Sequence, residues 1–468
     1  MSNFWDYSNW GTINIVAVLL LSLIVATVLK NLVPILHKSL IPTSVLGGFI
    51  LLIIAGIYKT LTGNFFFDTA FFAGQGMAAL ETITYHALAL GFTASALKST
   101  NTKMTKRRTM EIFDSGVTTV AVYLVQAILG MGITIIAAMF IFDFFPAAGI
   151  LVPFGFGQGS GQAMNFGGIF EADFGFVGGK SFGLTIAALG FLSASIGGVI
   201  HLNILKKRGK LVANTAVLED RILPDEIEEE NEIPMQGSMD KMTVQVGFIC
   251  GTYLLAYAMM FALGIAVPGF KATIYGFNFI LGVLAAVMVK AVLKFLNKKS
   301  IVKRRYTNNF LLTRCSNFFF DIMIVAGIAA IRLSVLEKYW GIMLVLGVVA
   351  AFSTYFYVRM VSKKLFPRYV EEQFLAMYGM LTGTASTGVI LLREIDPNFD
   401  TPAADNLVYQ TFPAIAFGFP MMLLATFAPR EPITCLIILI AFFAVMNIIL
   451  FRRQILRVRR KKRRGKAQ

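Results

Sequence analysis

Two stretches of this 468-residue chain hold side chains whose types and spacing could bind small polar ligands. The first is Pro153–Phe174, PFGFGQGSGQAMNFGGIFEADF, where Gln158, Ser160, Gln162 and Asn165 bring amides and a hydroxyl among six glycines. The second is Tyr378–Arg393, YGMLTGTASTGVILLR, where Thr382, Thr384, Ser386 and Thr387 surround Gly383 and Ala385. Neutral oxygens of this kind suit a hard cation such as sodium and let it leave again. Gly157, Gly159 and Gly161 let backbone approach a ligand closely. A half-helix that starts at such a break offers unpaired N–H groups and a positive dipole end to a carboxylate. Small residues also permit tight helix packing, which is the competing reading of either stretch taken singly.

The elements that position these residues follow from composition. The chain is 56% hydrophobic and 15% charged, with a mean hydropathy of +0.71, and its apolar runs are about 20 residues long, enough to cross a bilayer. A glycine in a helix interior costs about 1 kcal/mol relative to alanine, so neither polar, glycine-rich stretch reads as an ordinary spanning helix. Irregular backbone at membrane depth is tolerated where protein buries it or where it lines a watery cavity. The first apolar run, Ile13–Leu29, follows Asp6 and lacks a basic flank, so it reads as a span rather than a signal peptide. Cys250, Cys315 and Cys435 have neither metal-ligand spacing nor the density of a disulfide framework, and read as buried thiols.

Apolar runs and charged breaks predict eleven spans, at about 12–33, 40–58, 76–98, 115–142 and 177–204, then 243–265, 271–295, 312–335, 340–361, 405–427 and 432–452. With the N-terminus outside and the C-terminus cytoplasmic, the inner loops hold 34 of the 42 Lys and Arg residues, which the positive-inside rule requires. Five spans per half is odd, so the second half is expected to be inverted. The fold class predicted is an all-α polytopic membrane protein of two inverted five-helix repeats, each with a re-entrant hairpin, plus one extra C-terminal transmembrane helix. The N-terminal repeat is placed at 1–204 with its re-entrant loop at about 147–174, and a cytoplasmic linker at 205–240. The C-terminal repeat is placed at 241–428 with its loop at about 372–394, and the extra helix and basic tail at 429–468. Gly159-Ser160-Gly161 aligns with Gly383-Thr384-Ala385, and Leu90-Gly91-Phe92 with Ala326-Gly327-Ile328. Two interrupted segments in matching positions of two halves point to a transporter's binding site.

Ionisable residues inside spans are functional candidates. Asp321 and Arg332 are expected on one helix, about 16 Å apart and near the same face. Asp321 is a candidate sodium ligand or the partner of a loop cation, and Arg332 a substrate contact or a snorkelling cation. Arg393 could clamp a substrate carboxylate or pair with Glu394 or Asp396. His86 and His201 are lone histidines on apolar helices and read as hydrogen-bonded core residues. The basic tail Arg452–Lys466 fits anionic lipid headgroups better than nucleic acid, having no aromatic interleaving.

FGFGQGSGQAMNFGGIFE resembles the first re-entrant motif of the bacterial sodium/glutamate symporters. TGTASTGVILL, followed by an acidic stretch and Thr411-Phe412-Pro413, is similar to that family's second motif, and IPTSVLGG at Ile41–Gly48 to the start of its second helix. The resemblance spans roughly residues 12–428. Gln158 stands where such symporters often carry histidine, and the helix Ile433–Leu450 is an addition. The resemblance implies a sodium-coupled carrier of L-glutamate or a similar acidic amino acid, in a bacterial inner (plasma) membrane, as a homodimer. Substrate contacts are then expected from Gly157, Gln158, Gly159, Ser160, Gly161, Gln162 and Asn165. Further contacts are expected from Thr382, Gly383, Thr384, Ala385, Ser386 and Thr387, together with Arg332 and Arg393. Sodium contacts are expected from Ser160, Asn165, Thr384, Ser386 and Asp321.

Another organic anion is the nearest competing substrate. A channel fits less well, because channels usually build pores from symmetric subunits. An enzyme is not expected: the chain has no metal-spaced His or Cys cluster, no nucleophile elbow and no phosphate-binding loop, and sodium is the one ion implied.

Overall fold

A computed structural model describes residues 4–38, 40–98, 105–209, 232, 239–268, 271–301, 304–396 and 400–464. Most of the expected linker at 205–240 and the end of the basic tail lie outside these residues. Among the described residues the regular elements are helices, with no strand beyond one isolated bridge. The principal ones are α1 (Tyr7–Leu32), α2 (Thr43–Thr62), α3 (Gly76–Leu97), α4 (Lys106–Phe140), α5 (Leu151–Gln158), α6 (Ser160–Phe174) and α7 (Gly179–Lys207). They continue as α8 (Lys241–Ala266), α9 (Asn278–Lys298), α10 (Asn309–Ala329), α11 (Leu333–Leu365), α12 (Val370–Thr382) and α13 (Ala385–Arg393). The last three are α14 (Ala403–Tyr409), α15 (Thr411–Phe427) and α16 (Pro432–Arg464).

Nine of the described helices are long and apolar enough to cross a membrane, and ten if α14 and α15 form one span bent by 49°. This is the pattern of a multi-pass membrane protein. The bend falls at Gln410, and Pro413 has no N–H with which to continue the helix back to Tyr409. The eleventh expected span is α3, which is long enough but falls short in hydropathy because it carries Glu81, His86, Thr82, Thr84 and Thr93. Its Leu80, Ala87, Leu88 and Ala94 are buried, so protein rather than lipid covers much of it.

The chain divides into two compact units. One comprises Met1–Leu29, Thr43–Lys103 and Val212–Ala330, and so holds nearly all of α1, then α2, α3 and α8–α10. Its helices meet at small residues: Ser316 Oγ donates to Gly91 O at 2.9 Å, which seats α10 on α3. His86 Nδ1 lies 2.9 Å from Tyr253 Oη, so it is hydrogen-bonded as expected, but its side chain is exposed rather than in the core.

The second unit comprises Lys30–Pro42, Met104–Leu211 and Ile331–Gln468, and holds α4–α7 and α11–α16. Thr105 caps α4 by accepting from Arg108 N at 3.3 Å, satisfying one of the free N–H groups of the first turn. The C-terminal α16 lies along α4. Arg452 Nη1 meets Asp114 Oδ1 at 2.8 Å, and its guanidinium sits 5.0 Å from the centre of the Phe113 ring. Both polar, glycine-rich stretches therefore belong to this unit.

Candidate functional site

Each of the two stretches folds as helix, break, helix. Gly159 separates α5 from α6 with φ +89° and ψ 178°, a backbone region that only glycine enters without strain. The chain reverses there. Phe154 stacks on Phe166 with ring centroids 4.0 Å apart, whereas twelve residues of continuous helix would part them by about 18 Å. In the second stretch α12 ends at Thr382, Gly383 and Thr384 form the break, and α13 begins at Ala385. A Cβ added to Gly379 would lie 2.8 Å from Gly388 Cα, so these two helices also lie side by side as a hairpin.

Both hairpins pack along α7, in sequence. Gly183 of α7 lies against Ala163 of α6, and Ala187 against Gly155 of α5. Further along, Tyr378 Oη of α12 donates to Ser193 O at 3.0 Å, and Gly198 lies against Leu391 of α13. The two meet at Gly190, where an added Cβ would stand 3.1 Å from Phe156 Cα and 2.6 Å from Thr382 O. Phe156 and Thr382 are within three residues of their respective breaks, so the breaks converge near the middle of α7.

Helix α4 holds both of them. Tyr123 Oη donates to Gly157 O at 3.0 Å. Gln126 Nε2 donates to Leu381 O at 3.0 Å and to Thr354 Oγ1 at 2.8 Å. Residues three apart share a helix face, and these carbonyls belong to the last turns of α5 and α12, which have no partner within their own helix. Sequence reading missed Tyr123, Gln126, Thr354 and Gly190. Gln126 left one local signal, as a lone amide within the apolar run AVYLVQAILG.

The chemistry available here is neutral and unsatisfied. Gln126 Oε1, Gln158 Nε2, Ser160 Oγ and both amide atoms of Gln162 are buried without a hydrogen-bond partner. They are five of nine such atoms among the described residues, and the other four lie in the first unit. Gln126, Ser160 and Gln162 are each 0% exposed. Orphaned buried polar atoms cost about 1–3 kcal/mol apiece, so their concentration around the two breaks makes this the candidate site. Among the described residues no group of three or more His, Cys, Asp and Glu is placed to hold a metal ion.

The expected residues divide accordingly. Gly157, Gln158, Gly159, Ser160, Gly161 and Gln162 stand at the first break, with Asn165 half-buried one turn on. At the second, Thr382 Oγ1 donates to its own helix at Tyr378 O (2.7 Å). Thr384 Oγ1 caps α13 by accepting from Thr387 N at 3.4 Å, and lies 3.2 Å from Thr387 Oγ1. Gly383 is buried, Ala385 is exposed, and the side chain of Ser386 lies outside the described residues. Arg393 is exposed at the far end of α13, nine residues or about 13 Å of helix from the break.

Arg332 does not share a helix with Asp321. Helix α10 ends at Ala329, and Arg332 is exposed just before α11, with its backbone N donating to Ser181 Oγ at 3.0 Å. Ser181 is nine residues along α7 from Gly190, again about 13 Å. The apolar run through 312–335 hides this break, which a tertiary contact from α7 holds. Asp321 belongs to the first unit, with Ser44 as its polar neighbour, and is not part of the hairpin unit.

The foot of the second hairpin is anchored by charge. Glu371, in the first turn of α12, accepts from Arg359 Nη2 of α11 at 2.8 Å and lies 3.1 Å from His201 Nε2 of α7. A tautomer with Nε2–H donating leaves His201 Nδ1 to accept from Tyr355 Oη, 2.8 Å away. Burial by itself would raise the Glu371 carboxyl. The bonds from Arg359 and His201 outweigh it and hold the group at about 2. On the other side of α12, Asn406 bridges Gln373 and Arg108 at 2.8 and 3.1 Å.

Comparison of the chain with protein-family models, with curated proteins and with solved structures finds no match.

Proposed function

We propose that the chain is a secondary active transporter that carries glutamate or a related acidic amino acid together with sodium, by alternating access. The observation that supports this most is the convergence of the two hairpin breaks at Gly190, beside five buried polar atoms without partners. Broken helices that meet inside an apolar bundle are the form in which membrane proteins hold a polar substrate. The first-turn N–H groups of α6 and α13 suit carboxylates, and the amide and hydroxyl oxygens suit sodium. On this reading the hairpins are re-entrant, the two halves are inverted repeats in a bacterial plasma membrane, and the protein works as a homodimer without enzymatic activity. The domain that carries both hairpins then moves relative to a scaffold of the remaining helices, exposing one site to each side in turn.

A second reading, a sodium-coupled carrier of another organic anion, is favoured by the neutral glutamine set at a position where a histidine would be expected from the family resemblance.

Uptake of labelled L-glutamate into proteoliposomes, with and without an inward sodium gradient, tests the reading. Gradient-dependent accumulation is expected. Uptake indifferent to sodium removes the coupling, and no uptake by folded protein removes glutamate.

A further inference from the structure

Gln126 joins two features that the rest of the site keeps apart. Its Nε2 faces Leu381 O, a carbonyl that can only accept, so the orientation of the amide is fixed and Oε1 points the other way. That oxygen is buried and has no donor, and the residue is 0% exposed. No cation of the site answers it: Arg332 sits in an exposed loop and Arg393 at the far end of α13. The first-turn N–H groups of α6 and α13 present positive ends at the breaks, which suits an anionic group. The amide oxygens of Gln126 and Gln162 present the opposite polarity, and both lack a donor.

We propose that Gln126 Oε1 receives the positively charged member of the transported set, while its Nε2 holds Leu381, so that occupancy of the site is tied to the position of the second hairpin. The charged member is an ammonium group on the substrate or the coupling cation itself. This rests on the transport reading and adds a residue, Gln126, that discriminates among ligands by charge.

The full-length protein in detergent is titrated with L-glutamate, with glutarate (the same dicarboxylate without the ammonium group), and with sodium chloride against choline chloride. Binding is read from thermal unfolding. Gln126→Leu removes both the acceptor and the donor, and Gln126→Glu removes the donor alone. Losing one charge-assisted contact weakens binding by about tenfold. If the source is the substrate ammonium, Gln126→Leu weakens glutamate about tenfold and leaves glutarate and sodium unchanged. If it is the coupling cation, half-saturation by sodium rises about tenfold and the glutamate-to-glutarate ratio stays. In either case Gln126→Glu keeps the discrimination by charge, because it retains the acceptor, and loses only what the Leu381 bond contributes. Should Gln126→Leu not fold, Gln126→Met, an apolar chain of similar length, replaces it. Equal impairment of the Leu and Glu variants would mean that Gln126 only positions the hairpin, and no effect in either that Oε1 meets no ligand; each overturns the proposal. A wild-type protein indifferent to every probe overturns the transport reading, and this proposal with it.

Discussion

The carbonyl oxygen of Thr382 approaches Gly190 so closely that a Cβ there would stand 2.6 Å from it. The neighbour is backbone and cannot swing aside, so any larger residue on α7 must drive a hairpin away. Gly190→Val is expected to lose transport and about 1–3 kcal/mol of stability. Proteoliposome uptake and thermal unfolding measured on the same preparation check both outcomes; normal uptake would remove the tip-to-tip contact from the mechanism.

The two break glycines are not equivalent. Gly159 has φ +89°, whereas Gly383 has φ −143° and an added Cβ there meets first the side chain of Thr387, at 2.9 Å. Gly159→Ala is therefore expected to lose about 1–3 kcal/mol from backbone strain, and Gly383→Ala distinctly less. Thermal unfolding of the two variants side by side gives the order, and an equal or reversed loss would contradict it.

Tyr123→Phe removes the hydroxyl that Gly157 O accepts and leaves the rest of the ring in place. A buried carbonyl deprived of its donor costs about 1–3 kcal/mol. Thermal unfolding is the readout, and the expected shift is downward by several degrees. Substrate affinity is expected to fall too, because the carbonyl sits two residues before the first break.

Glu371 makes stability depend on acid. Its folded carboxyl titrates at about 2 against an ordinary value of 4.5, so its contribution is fully present above 4.5 and is lost as pH falls towards 2. Unfolding measured from pH 7 down to pH 3 should show a decline that begins below 4.5 in the wild type. Glu371→Gln is expected to be less stable at pH 7 and to lack that part of the decline. A variant with an unchanged acid limb would place the anchor of α12 elsewhere.

Local features identified the two breaks well. Glycines and uncharged polar residues inside an apolar chain carry a cost wherever they fall, so PFGFGQGSGQ and TGTASTG stand out before any contact is known. The same local logic misled at Arg332. Hydropathy runs on unbroken past Ala329, and what ends α10 is packing, with Ser181 Oγ bonding the Arg332 N–H. It also gave no reason to assign Asp321 and the hairpins to different units, since a carboxylate in a span looks functional in whichever unit it lies. Gln126 was visible as a lone amide, but its bond to Leu381 bridges 255 residues of chain, and no periodicity encodes such a pairing.

What the sequence by itself determined is the apolar, many-helix character of the protein and the two places where helices must break, because transfer energies and glycine's backbone freedom act residue by residue. The tertiary structure alone decided that the breaks meet at Gly190, that Tyr123 and Gln126 hold one each, and that Arg332 and Arg393 stand about 13 Å of helix from them. Those outcomes depend on close packing between distant segments, where a difference of one side chain's width separates a contact from a clash.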